Sequence, residues 1–323
     1  MYTEHLHIPV GVGTLHVERL GRGGPAVLLL HGFATSAFLW RQVAPRLASA
    51  GFTTVAIDLL GHGESDRPID AAYTASAQAD YVERALTALR LGEVAVVSQD
   101  MGALVAAMLA AQRPSLVRSL LLLEPPDPDD LPGPMIRALQ RGSARAALSA
   151  NTLFGARPLL EPWLLERTGT PAEPDRLLAR YLASFVGPTG AAELLQLASH
   201  VALLDGERQR LRDVRVDTTL WLGSADGDPG PPAIVDQRES TVSPIPEPPP
   251  EDRLRYPGAG SVPLSGVRRE RLAAWSALLP ASPVRALPMP TPAGALVAEV
   301  SPVPLAKVIL AGSESSTAAA LEP

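Results

Sequence analysis

The chain has 323 residues, 46% of them hydrophobic, with a formal charge of −6 and a pI near 5.6. That is enough apolar material for one large core, or a core plus a subdomain, and the acidic balance offers no basic face to nucleic acid or to an anionic membrane. The absence of Cys excludes disulfides and thiolate metal sites, and no apolar run approaches the length of a membrane span. The opening stretch, Met1–His7, has neither a basic n-region nor an apolar h-region, so no signal peptide is expected and a cytoplasmic location is. Lys307 is the only Lys, and Ala, Pro and Gly abound, a bias typical of GC-rich bacterial genomes with no bearing on mechanism.

In chain order, an N-terminal strand region carries His5, His7 and His16 without a neighbouring cluster of acidic ligands, so no metal site is expected. Ala26–Leu30 reads as a buried strand running into His31-Gly32-Phe33-Ala34-Thr35-Ser36. Thr53–Ile57 is a second such strand, leading into Asp58-Leu59-Leu60-Gly61-His62-Gly63-Glu64-Ser65-Asp66. Gly61-His62-Gly63 is not a phosphate loop, since no Gly-Lys-Ser follows, and His31 and His62 read as structural hydrogen-bonders of their turns. A helix over Ala75–Leu91 precedes a third strand, Val94–Val97.

That strand ends in Val97-Ser98-Gln99-Asp100-Met101-Gly102, and an apolar helix-former over Gly102–Gln112 follows at once. A strand that turns directly into a helix over small residues has the layout of a nucleophile elbow, here with Ser98 in place of the first Gly and Asp100 as the central residue. A carboxylate there attacks carbon and forms an alkyl-enzyme ester, as opposed to hydrolysing an amide or ester. The plainer alternative is a solvent-exposed Asp in a Rossmann-like turn.

Ser119–Leu123 and Thr218–Leu222 complete the strands, and their alternation with helices implies a mostly parallel sheet covered on both faces. Between them Pro125-Pro126-Asp127-Pro128 breaks the pattern and Ile136–Leu211 reads as helices alone. A Pro-rich loop spans Ser243–Pro250, a helix follows at Arg269–Leu279, and the remainder is rich in Pro, Ala and Ser. The chain thus divides into a first core part at 1–124, a helical insertion at 125–212, a second core part at 213–280 and a tail at 281–323. The tail is expected to be disordered, with at most a short unsupported strand at Ala306–Leu310.

The strand–His-Gly turn, the Asp-x-x-Gly-x-Gly-x-Ser turn and the elbow, in that order, resemble the α/β-hydrolase fold. Within it they look most like the haloalkane dehalogenase and epoxide hydrolase branch, whose nucleophile is an aspartate. The resemblance runs from about Val10 to Leu123 and resumes near Thr218. It implies that the helical insertion is a cap over the active site and that the backbone N–H groups of Phe33 and Met101 stabilise the oxyanion. It also implies a supporting acid, either Glu124, 24 positions after Asp100, or Asp226 in Gly223-Ser224-Ala225-Asp226. The family takes its water-activating base from a His in the loop after the last strand, and the matching residue of Tyr256-Pro257-Gly258-Ala259-Gly260-Ser261 is Ser261. Among the six His, His200 is the one replacement candidate, since the end of the insertion could bring it over Asp100.

Related dehalogenases hold the halide with an Asn after His-Gly and a Trp after the nucleophile. Phe33 and Met101 have no such donors, and although Trp163 could substitute, packing accounts for it better. Epoxide hydrolases share His-Gly-Phe and use cap tyrosines, of which the insertion offers Tyr181 alone. Three readings follow: an Asp-nucleophile enzyme acting on an epoxide or similar electrophile, a non-hydrolytic enzyme on the same fold (cyclisation, elimination or rearrangement), or a catalytically silent binding protein. The first is adopted, with a small apolar or electrophilic substrate and no cofactor. No signal of oligomeric state is present.

Overall fold

In the computed structural model of the protein, residues 2–142, 146, 156–168, 174–224, 235–236, 266–292 and 295–319 are described. Short runs of Val, Leu, Ile and Ala become the middle of the sheet because they can be buried on both faces. They form β3 (Ala26–Leu30), β4 (Thr53–Ile57), β5 (Val94–Gln99) and β6 (Val117–Leu123). An antiparallel hairpin of β1 (Glu4–Pro9) and β2 (Thr14–Leu20) closes one edge. On the far side lie β7 (Asp217–Ser224), the two-residue β8 (Val235–Asp236) and β9 (Val284–Pro292). The order is β1-β2-β4-β3-β5-β6-β7-β9-β8, parallel from β4 through β9. The expected α/β-hydrolase sheet is therefore present.

Helices α1 (Ala44–Ser49), α2 (Ala75–Ala88) and α3 (Gly102–Gln112) pack on this sheet. α3 is apolar all round and buried from Gly102 to Ala110, as a helix wedged between a sheet and other helices must be. Between β6 and β7 come α4 (Pro134–Gln140), α5 (Arg157–Thr168), α6 (Pro174–Leu182), α7 (Gly187–Ser199) and α8 (Asp205–Leu211). Among the described residues this stretch contains no strand, as its sequence implies. Its helices touch the loops at the carboxyl ends of the strands, with Phe185 against His62 and Trp163 against Phe33. No helix of the described residues is long and apolar enough to cross a membrane.

The tail departs from expectation. After α9 (Gly266–Leu278) the chain enters β9, which pairs in parallel with β7, and then α10 (Val297–Val300) and α11 (Pro302–Ala319). The disorder expected of 281–323 is thus overturned over the described residues, and Ala306–Leu310 is helix, not strand. Leu296, Val297 and Ala298 are fully buried, and Leu305, Ala306 and Ile309 form a buried stripe on α11 at helical spacing. Proline content misleads here because Pro302 and Pro304 sit in the first turn of α11, where a helix has no use for the missing N–H.

Candidate active site

The elbow forms where β5 meets α3. Asp100 has φ +53°, in the left-handed region that non-glycine residues seldom occupy, and this throws its side chain clear of the turn. Two glycines make the turn sterically feasible. A Cβ on Gly32 would lie 2.6 Å from Asp100 Cβ, and one on Gly102 would lie 2.4 Å from the His31 carbonyl oxygen. Ser98, in place of a third glycine, is buried on β5.

The two oxygens of the Asp100 carboxylate have different partners. Oδ2 accepts the Phe33 N–H at 3.3 Å. Oδ1 lies 3.4 Å from Nη2 of Arg167, on α5. Among the described residues Phe33 supplies the only backbone hydrogen bond to this carboxylate, and Met101 N–H does not reach it with hydrogen-bond geometry. The Arg167 guanidinium lies over the Trp163 ring at 4.8 Å, and that ring meets Phe33 edge-on. Nε and Nη2 of Arg167 are buried without a hydrogen-bond acceptor among the described residues. The backbone of Arg167 is pinned in turn, its carbonyl accepting the Leu296 N–H at 2.7 Å.

A cavity of about 260 Å³ opens beside Asp100. Its walls are apolar at Pro125, Pro126, Met135, Ile136 and Trp163 and charged at Glu124, Asp127, Asp130, Arg167 and Arg271. Glu124 is buried at the end of β6 with φ +43°. One of its oxygens accepts the Gly223 N–H, and the other accepts Nη1 of Arg271 at 3.1 Å. Arg268, one turn earlier on α9, donates from Nε to the Gly223 carbonyl at 2.7 Å. The exits of β6 and β7 are thereby tied to α9 by two arginines.

Sequence reasoning selected Asp100, Phe33, Met101, Glu124 and Trp163, and the structure gathers them at one cavity or its rim. Asp226 and Ser261 lie outside the described residues. His200 does not meet Asp100. It lines a smaller cavity, about 50 Å³, that shares only Met101 with the first, and its Nδ1 is 3.0 Å from the Gln196 carbonyl oxygen. The reason is that α7 ends over the α2–α3 side of the elbow, where His200 packs edge-on against Tyr73. Tyr181 is also elsewhere: it is buried, its hydroxyl donates to Glu299, and burial beside that carboxylate pushes its pKa well above the ordinary tyrosine value. Arg167 and Arg271 were missed. The only sequence signal for Arg167 is its position four residues after Trp163, which puts both on one face of α5.

His31 and His62 take the structural roles expected of them. His31 Nε2 accepts the Leu59 N–H at 2.9 Å while Nδ1 faces the Gly32 carbonyl at 2.8 Å, which requires the neutral ring, and burial lowers its pKa. Burial, with His31 alongside, holds the pKa of His62 down at about 3.

Comparison with known proteins agrees with this fold. Residues 25–154 match the model of the alpha/beta hydrolase fold family. A haloalkane dehalogenase of Agrobacterium fabrum is 30% identical over 220 residues, covering 66% of this chain and 69% of that protein. The chain belongs to the α/β-hydrolase superfamily, in its haloalkane dehalogenase-like branch. A haloalkane dehalogenase of Mesorhizobium japonicum is 38% identical over 117 residues, 36% of this chain, and the match spans only 37% of that relative's length. An epoxide hydrolase 3 of Siraitia grosvenorii is 35% identical over 121 residues, covering 37% of this chain and 38% of its own. Among solved structures, a loop variant of a haloalkane dehalogenase from Bradyrhizobium elkanii superposes with a TM-score of 0.68 at 23% identity, all of both chains being covered. The chain is thus similar to members of both groups.

Proposed function

We propose that Asp100 is the nucleophile of an enzyme that forms an alkyl-enzyme ester with an epoxide or similar small electrophile, in the cavity beneath a cap made by α4 to α8. The observation that carries this reading is the division of labour at the carboxylate: Oδ2 is held by Phe33 N–H, and Oδ1 faces the cavity beside Arg167. Oδ1 bonds to the electrophilic carbon while the carbon–oxygen or carbon–halogen bond breaks, its electron pair leaving with the departing atom. The unengaged N–H groups of Arg167 supply charge-assisted hydrogen bonds for that anion. They stand in for the Asn and Trp donors that Phe33 and Met101 replace, and for a cap Tyr, since the Tyr181 hydroxyl is turned to Glu299. An alkoxide product takes its proton from water, since guanidinium stays charged.

Release of the ester needs a base to activate water. No imidazole lines this cavity among the described residues, and Glu124 is held by Arg271 and Gly223. That observation supports the second reading, an enzyme of the same fold that uses Asp100 without hydrolysis.

Intact-mass measurement after exposure to a panel of epoxides and alkyl halides tests the proposal. The expected result is a single stable addition, absent in Asp100→Asn and formed about 100-fold more slowly in Arg167→Ala. An adduct that survives Asp100→Asn, or the absence of both adduct and turnover across the panel, overturns it. Rapid turnover without an adduct would show that another base acts, and Ser261→His then tests whether the expected loop can supply one.

A further inference from the structure

The edge hairpin holds a second cluster of chemistry-bearing side chains. The antiparallel register of β1 and β2 sets His5 opposite Glu18 and His7 opposite His16. Residues two apart on a strand share a face, and directly opposed residues share it too, so the four form a two-by-two grid. His5 Nδ1 lies 3.0 Å from His16 Nε2, the two rings stacked at 5.3 Å. With a carboxylate oxygen of Glu18 they make a set whose donor atoms all lie within 4.8 Å of one another. Two imidazole nitrogens, each about 2.0–2.1 Å from a tetrahedral zinc ion, stand roughly 3.3 Å apart. The observed spacing needs only a small adjustment to admit one.

A second observation points the same way. His16 is buried, and its other nitrogen, Nδ1, is 2.8 Å from Oδ2 of the buried Asp58. Asp58 is itself held by the N–H groups of Ala37 at 2.6 Å and Glu64 at 2.9 Å. A carboxylate behind an imidazole fixes the ring and leaves Nε2 as the electron-pair donor, the arrangement that orients histidine ligands in metal sites. That Nε2 faces His5, and a carboxylate oxygen of Glu64 lies 3.9 Å from it.

We propose that the β1–β2 hairpin binds a divalent transition-metal ion of the zinc or nickel class through His5, His16 and Glu18, with Asp58 orienting His16. Imidazole and carboxylate together select such ions over magnesium or calcium, which favour oxygen ligands alone. Because Asp58 begins the loop after β4, the ion would fasten the edge hairpin to the body of the sheet. The site is separate from the chemistry at Asp100 and does not rest on it. The sequence gives no sign of this cluster because Glu18 meets His5 only through strand register, and Asp58 and Glu64 reach His16 only from the loop after β4.

The test is calorimetric titration of the full chain with Zn²⁺, Ni²⁺ and Mg²⁺, alongside His5→Ala and Glu18→Gln. His5 is exposed, so its replacement leaves the fold intact, which circular dichroism verifies. One Zn²⁺ or Ni²⁺ per chain is expected, weakened at least tenfold in His5→Ala and to a lesser degree in Glu18→Gln. The thermal midpoint should rise most with added Zn²⁺ in the parent chain and least in His5→Ala. A Cu²⁺-loaded sample should show nitrogen couplings from two imidazoles, one of them lost in His5→Ala. No binding to the parent chain, equal binding of Mg²⁺, or an unchanged affinity in His5→Ala overturns the proposal.

Discussion

Replacing Gln99 by Leu tests whether the C-terminal segment is an integral part of the site. Gln99 is fully buried at the end of β5, one residue before Asp100. Its Nε2 donates to the carbonyls of Ala295 at 3.1 Å and Leu123 at 3.3 Å, and its Oε1 accepts the Val297 N–H at 2.9 Å. In Gln99→Leu the Leu123 carbonyl keeps a partner, the Asp100 N–H at 2.9 Å. Ala295 C=O and Val297 N–H are both buried and would have none among the described residues. Each orphaned group costs about 1–3 kcal/mol, so the pair costs about 4 kcal/mol at mid-range. Burial of the leucine offsets about 2 kcal/mol of this, leaving a net loss of about 2 kcal/mol. Equilibrium urea unfolding followed by tryptophan fluorescence measures the loss, and limited proteolysis should show faster cleavage near Leu296. Leu296, between the two residues that lose their partner, donates the N–H that pins Arg167, so adduct formation at Asp100 should slow as well. A change in stability below about 0.5 kcal/mol, together with unaltered proteolysis, would refute the claim that Gln99 clasps this segment.

Gly32→Ala brings a methyl group 2.6 Å from Asp100 Cβ; it should abolish adduct formation, as intact mass would show, even in preparations whose circular dichroism matches the parent. The buried His62 gives a pH signature. Its folded pKa of about 3 lies below the ordinary imidazole value of 6.5, so between these values the unfolded chain binds more protons. Stability contributed by His62 is therefore present above about pH 6.5 and lost as pH falls towards 3, and urea titrations of His62→Asn should show a shallower acid decline than the parent. Glu299→Gln removes the charge that links Arg41 to α10 and accepts the Tyr181 hydroxyl; the tyrosine pKa, followed by ultraviolet titration, should move back towards its ordinary value. A Tyr181 titration that does not move would mean that burial alone, and not Glu299, raises it.

Much of the fold was legible in the chain itself, because its determinants are local. Val94–Val97 running into small residues and then an all-apolar helix defines β5, the elbow and α3 with no information from elsewhere, since burial on both faces and a tight turn each leave a signature within a few residues. Asp100 stands out for the same reason, at the end of a strand of recognisable pattern, whereas Phe33 and Glu124 were expected only from the resemblance of the strand-end motifs to the α/β-hydrolase fold. What tertiary structure decided is everything that depends on contacts between distant segments. Arg167 meets Asp100 only because α5 is laid over the strand ends, and His200 misses it because α7 ends beyond Met101. The tail looked disordered by composition, yet β7 offers it a free edge and Gln99 offers Ala295 and Val297 their hydrogen bonds. Local composition records the entropy that such a segment must lose on ordering, whereas the burial and hydrogen bonding that compensate for it come from a surface assembled by other parts of the chain.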